Sequence, residues 1–147
     1  SGIRQDLIVT ETWTPKIFSE VRDRLWHHRY DVIVDAMDLE ELRRYLIERR
    51  DFLLRLLENP ILLEHELFTD LLRATFHLTE ELERRGEFAR LPESDIRHLT
   101  EDIGRVYRLL TGEWLSYMEY LGRNYPYLFS FAMRANPFDE TASPVVR

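Results

Sequence analysis

The sequence predicts an all-α fold: an antiparallel four-helix bundle with a short extra C-terminal helix, forming one domain over residues 1–147. Three observations carry this. Leucine outnumbers isoleucine plus valine by 23 to 15, a bias toward helix over strand. Apolar residues recur at steps of three and four through most of the chain. The 5 glycines and 6 prolines are few, and most fall where a helix should start or stop.

The elements come in order. Residues 1–14 show no clean period and, with the polar tail 139–147, read as irregular or frayed. Thr14-Pro15 is an N-cap with a first-turn proline, and Phe18, Val21 and Leu25 keep helical spacing behind it, so a first helix is expected over 15–30. Residues 31–37 hold the β-branched trio Val32, Ile33 and Val34 and read either as a helical turn or as an extended connection. Asp38 with Glu41 has capping-box spacing and Met37 is placed to staple onto Leu42, which predicts a helix over 39–58 with Leu42, Tyr45, Leu46, Leu53, Leu56 and Leu57 on its inner face. Asn59-Pro60 ends it, and Asn59 is a candidate cap for the next helix.

The third helix is expected over 61–85, with Leu63, Leu67, Leu71, Ala74, Leu78 and Leu82 as its stripe and Gly86 as a left-handed C-cap. Pro92 to Asp95 open the last long helix, over about 93–123. Its stripe runs through Ile96, Leu99, Ile103, Val106 and Leu110, then shifts to Trp114, Tyr117 and Leu121. Asn124-Tyr125-Pro126 breaks it, and a short helix is expected from Pro126 to Arg134. The predicted core therefore includes Leu46, Leu53, Leu67, Leu71, Leu78, Leu99, Ile103, Val106 and Leu110.

Composition excludes several function classes. The absence of cysteine rules out disulfides, thiolate metal sites and cysteine nucleophiles. A net charge of -7 argues against a nucleic-acid partner, because neutralising phosphates needs excess cations. The apolar runs fall far short of the roughly 20 residues a membrane-spanning helix needs. The start Ser1-Gly2, without methionine, reads as an excised or processed piece. There is no Gly-x-Ser-x-Gly, no glycine-rich phosphate loop and no P-loop lysine, so an enzyme is not expected.

Four constellations remain. Arg43, Arg44, Arg49, Arg50 and Arg55 alternate with Glu40, Glu41, Glu48, Asp51 and Glu58, which fits ion pairs on an exposed face, such as Glu40 with Arg44. Gly104 and Gly112 share a ridge through Arg108 that Ser116 extends; they mark either a close backbone crossing or tolerated surface glycines. Trp114, Tyr117, Tyr120, Tyr125, Tyr127, Phe129 and Phe131 either close the core or leave an exposed interaction patch, and closing the core is the first reading.

The fourth is metal-like. His77 with Glu81 and His98 with Asp102 each set an imidazole and a carboxylate four residues apart on one helical face. Counted from the connection at the helical rise, the two histidines lie about 12 Å and about 7 Å down antiparallel helices and so come near the same level. Against this, the Glu-x-x-His signature of di-iron bundles is missing, and Asp95-x-x-His98 matches it only approximately and once. Both histidines also flank the apolar stripe. The balance predicts no metal and no cofactor.

The stretches 45–82 and 112–138 carry a resemblance. Arg49-Arg50-Asp51-Phe52-Leu53-Leu54, Leu57-Glu58-Asn59-Pro60, Leu63-Glu64-His65-Glu66, Phe68-Thr69-Asp70-Leu71-Leu72, Glu113-Trp114-Leu115 and Tyr125-Pro126-Tyr127-Leu128-Phe129 resemble a soluble segment of archaeal and bacterial ion-channel-like proteins of the two-helix-pore, potassium-channel family. The Thr-Val-Gly-Tyr-Gly-like filter loop of such pores is absent. The resemblance implies a non-catalytic cytosolic helical domain at the cytoplasmic face of a membrane, serving assembly, regulation or partner binding. Its partner would be a pore module and its state a homo-oligomer; the candidate interaction surface comes from the residues themselves, the glycine ridge and the aromatic end, as Gly104, Gly112, Tyr120, Tyr125, Tyr127, Phe129 and Phe131. The rivals are a metal-binding bundle on His77, Glu81, His98 and Asp102, with redox activity as one option, and a free-standing adaptor.

Overall fold

The computed structural model describes residues 2–146, and among these the chain is helical with no strand. The helices are α1 (Gly2–Gln5), α2 (Pro15–His27), α3 (Ala36–Glu48), α4 (Arg50–Leu57), α5 (Pro60–Leu63), α6 (Glu66–Glu83), α7 (Glu93–Asn124) and α8 (Pro126–Arg134), with a 3-10 turn at Phe88–Arg90 between α6 and α7. The chain forms two compact units. Residues 29–110 make a central unit, and residues 1–28 with 111–147 make a terminal unit.

In the central unit, residues 31–35 are a non-helical connection that ends in extended Asp35, and Ala36 and Met37 already belong to α3, so the span 31–37 divides between the two readings. The capping box forms three residues earlier than the sequence pattern suggests: Asp38 N–H donates to Asp35 Oδ1 at 2.8 Å and Asp35 N–H donates to Asp38 Oδ2 at 3.0 Å. Met37 is 80% exposed, so the expected staple does not form. The helix expected over 39–58 is interrupted at Arg49, whose ψ of 6° closes α3. Arg49 lies over the Tyr45 ring at 3.5 Å. Asn59 caps α5 as expected, accepting from Ile61 N–H at 3.0 Å.

Leu39, Leu46, Leu78, Leu82, Phe88 and Leu99 form the buried core of this unit, with Val34, Leu42, Leu91, Ile96, Ile103 and Val106 packed around them. Of the expected core, Leu67 is 49% and Leu110 42% exposed, Leu53 is only partly buried and outside this cluster, and Leu71 is buried but is not one of its members. Leu67 precedes the buried face of α6, which starts at Thr69 and runs through Leu71, Leu72, Leu78, Thr79 and Leu82. Gly86 is not a left-handed cap, since no glycine among the described residues has positive φ. The end of α6 is satisfied instead by Arg43, which donates to the carbonyls of Leu82 (3.4 Å), Arg85 (2.7 Å) and Gly86 (3.1 Å), the acceptors a helix end leaves open. Glu40 pairs with this same Arg43, at 2.6 Å, in place of the expected Arg44.

In the terminal unit, Thr14 caps α2, and Phe18, Val21 and Leu25 are its buried face, as the spacing predicts. Residues 1–14 contain α1 and bury Ile3, Leu7 and Val9. The stripe of α7 here is Thr111, Leu115, Met118 and Leu121, so the expected shift to Trp114 and Tyr117 is off by one position, with Tyr117 half exposed. Buried Asn136 ties the termini together by donating to the Leu7 carbonyl at 2.8 Å.

Candidate metal centre

The centre lies within the central unit, on α6 and the first half of α7. Arg85 meets Asp95 at 2.6 Å, Glu81 meets His98 at 3.7 Å and His77 meets Asp102 at 3.3 Å. These pairings run up one helix and down the other, so the two helices are antiparallel here. That arrangement brings the two i,i+4 pairs to one level. His77, Glu81, His98 and Asp102 each offer a donor atom, and the four atoms lie within 4.8 Å of one another. His77 Nε2 is 3.3 Å and His98 Nε2 3.4 Å from Asp102 Oδ2; the same nitrogens are 3.6 and 3.7 Å from Glu81 Oε1.

The donors differ in burial. Asp102 is the inner wall, 3% exposed, and its Oδ2 is buried and accepts no hydrogen bond. A buried carboxylate oxygen without a hydrogen bond is costly, so a positive charge beside it is favoured, on a protonated His77 or His98 at 3.3 and 3.4 Å or on a bound cation. His77 and His98 are about half exposed and open the site to water. The expected absence of a metal rests on the missing repeated signature and on the histidines' flanking positions. Flanking positions on two antiparallel helices face one another, and the donors converge without that signature.

Arginine orders the carboxylates. Arg85 places Nε and Nη2 on the two oxygens of Asp95, each at 2.6 Å, while Nη1 donates at 2.6 Å to Glu81 Oε2. The Arg85 hydrogen bond holds the carboxyls of Glu81 and Asp95 below their usual range against the opposing effect of burial, and Arg85 in turn is held above its own. Arg105 Nη1 stands 3.4 Å from Asp102 Oδ1. Sequence reading identifies the four donors and misses these arginines. Arg85 lies four residues past Glu81, and that spacing is the signal that could have found it.

The expected interaction residues fall in both units. In the central unit, Gly104 is buried beside Tyr30, where a Cβ would stand 3.4 Å from the Tyr30 carbonyl; it is a close approach to the backbone. In the terminal unit, a Cβ at Gly112 would meet open space, the reading of a tolerated glycine. Phe129 packs its ring over Gly122, about 3.5 Å from where a Cβ would stand. Tyr120 and Tyr125 pair with ring centroids 5.8 Å apart, and their hydrogen bond pushes the Tyr120 hydroxyl above its ordinary pKa. Tyr120, Tyr125, Tyr127 and Phe131 are all exposed and α8 buries no residue fully, so these aromatics do not close the core. The reading of a core-closing cluster is corrected for these four and for Tyr117, which is 50% exposed.

Comparison with known proteins agrees with the helical class. Residues 1–134 match the family described as "Uncharacterized protein MJ1433, C-terminal helical domain", and the chain belongs to that family. The uncharacterized protein MJ1433 of Methanocaldococcus jannaschii is 47% identical over 138 residues, which are 94% of this chain and 56% of the relative. The chain thus spans little more than half the length of the relative it matches. No solved structure matches it. Among the described residues, no helix is long and apolar enough to cross a membrane.

Proposed function

We propose that this chain is a non-catalytic, metal-binding helical domain in which a divalent transition-metal ion clasps α6 to α7 within an antiparallel bundle. The observation that carries the reading is Asp102 Oδ2, buried without a hydrogen bond and aimed at two imidazole nitrogens and a second carboxylate oxygen. Imidazole and carboxylate donors without thiolate suit zinc, iron or manganese. Four protein donors fill the usual coordination of a structural ion and leave no open position for a substrate. Elemental analysis of protein purified without chelators should give close to one metal per chain, and His77→Ala should lose it. Metal-free wild-type protein that stays metal-free after exposure to zinc and removal of the excess would overturn the reading.

A second reading has one observation behind it. Tyr127 is 93% exposed, and Tyr120, Tyr125 and Phe131 are about half exposed, an aromatic content rare on an unpartnered surface. This supports self-association through the terminal unit, as a domain accompanying a channel-like pore module at the cytoplasmic face of a membrane would require. Sedimentation across a concentration series tests it. A concentration-dependent dimer weakened by Tyr127→Ser is the expected result, and a strict monomer at millimolar concentration is the contrary one.

A further inference from the structure

The two carboxylates of the centre are each divided between an arginine and the donor cluster. Glu81 gives Oε2 to Arg85 and turns Oε1 toward His77 and His98. Asp102 has Oδ1 beside Arg105 and Oδ2 toward the same two histidines. Arg85 is itself fixed, because both oxygens of Asp95 hold its guanidinium fork and its Nη1 also donates to the Glu81 carbonyl at 2.6 Å. A carboxylate with one oxygen engaged in this way presents a single oxygen to an ion.

Spacing agrees with single-oxygen ligation. Bonds of about 2.0–2.2 Å separate the donors of a tetrahedral site by about 3.3–3.6 Å and neighbouring donors of an octahedral site by about 2.8–3.1 Å. The four imidazole–carboxylate separations, 3.3, 3.4, 3.6 and 3.7 Å, lie nearer the first range, and the two remaining donor pairs lie within 4.8 Å, so an ion bound through one atom of each residue would draw them closer. Calcium needs six to eight oxygens and commonly takes both from one carboxylate, which the arginines prevent.

Resting on the metal reading above, we propose that Arg85 and Arg105 are positioning residues that make Glu81 and Asp102 single-oxygen ligands, and that the centre thereby selects a small, four-coordinate ion of the zinc class over calcium and magnesium.

Cobalt(II) substituted into the metal-free 147-residue chain tests this, since four-coordinate cobalt absorbs strongly in the visible and six-coordinate cobalt weakly. The expected wild-type result is the intense spectrum, unchanged by excess calcium and abolished by zinc. Arg85→Met should weaken zinc binding about 10- to 100-fold, as removal of outer ligand partners does, and turn the cobalt spectrum weak, with Arg85→Lys restoring part of the intensity. Arg105→Met, at a more exposed position, should shift the spectrum in the same direction by less. Far-ultraviolet circular dichroism shows whether each variant is folded, and the wild-type spectrum and calcium competition stand without any variant. Weak wild-type bands, displacement of cobalt by calcium, or a folded Arg85→Met variant with an unchanged spectrum would overturn the selection while leaving the metal reading intact. A wild-type chain that binds no cobalt at all would overturn both.

Discussion

Two buried polar side chains, one in each unit, have opposite circumstances. Asn136 in the terminal unit is 1% exposed, and it is satisfied by the chain itself: Nδ2 donates to the Leu7 carbonyl at 2.8 Å and Oδ1 accepts from Phe138 N–H at 2.9 Å. Asp102 in the central unit is 3% exposed, yet its Oδ2 accepts no hydrogen bond and faces two imidazoles and a carboxylate. Burial alone does not separate a polar group that serves the fold from one that we propose holds a ligand. What separates them is whether the fold has already used the group's hydrogen-bonding capacity. Asn136 belongs to folding, and Asp102 has capacity left for a ligand.

Changes at four positions break or sharpen this contrast. Leu99→Ala beneath the centre removes a fully buried side chain from the core of the central unit and should cost about 2–5 kcal/mol with or without metal. Urea unfolding in chelator and in zinc would show the two costs equal. Asn136→Ala removes the hydrogen bonds to the Leu7 carbonyl and from the Phe138 N–H and should cost roughly 2–4 kcal/mol, again independent of metal. Asp102→Asn should behave differently. In chelator it should not destabilise the fold, since the amide removes a buried charge whose Oδ2 accepts no hydrogen bond and whose neighbour Arg105, 3.4 Å from Oδ1, is exposed. In zinc at 100 times its dissociation constant it should forfeit about 2.7 kcal/mol that the wild type gains.

The smallest effect is acid-dependent. The Arg85 hydrogen bond lowers the folded-state pKa of Asp95 below its ordinary 3.8. The stability this gives is complete above that ordinary value and fades as pH falls through the lowered one. Metal-free Arg85→Met should therefore lose the contribution at neutral pH and show a flatter decline below about pH 4. Thermal unfolding from pH 2 to pH 7 reads the difference.

Local signals are legible in the sequence and long-range ones are not. Thr14-Pro15, Asn59-Pro60 and the span Pro126–Arg134 are readable because a cap or a proline acts within one turn. The start of α3 is misread because Asp35 and Asp38 satisfy one another as well as Asp38 and Glu41 could, and only the packed helix decides. Gly86 looks like a cap because the sequence does not reveal that Arg43, 42 residues before Arg85, covers the end of α6. The donors of the centre are legible as two i,i+4 pairs at matching levels. Their significance is not, because it lies in the burial of Asp102 and in the arginines that divide the carboxylates, both products of the antiparallel approach of α6 and α7.

Anomalous diffraction at the zinc edge, from crystals grown with one equivalent of zinc per chain, tests the central claim most directly. The expected result is one strong peak about 2.0–2.2 Å from His77 Nε2, His98 Nε2, Glu81 Oε1 and Asp102 Oδ2. A map with no peak among these four atoms, or with zinc held elsewhere on the chain, would contradict it.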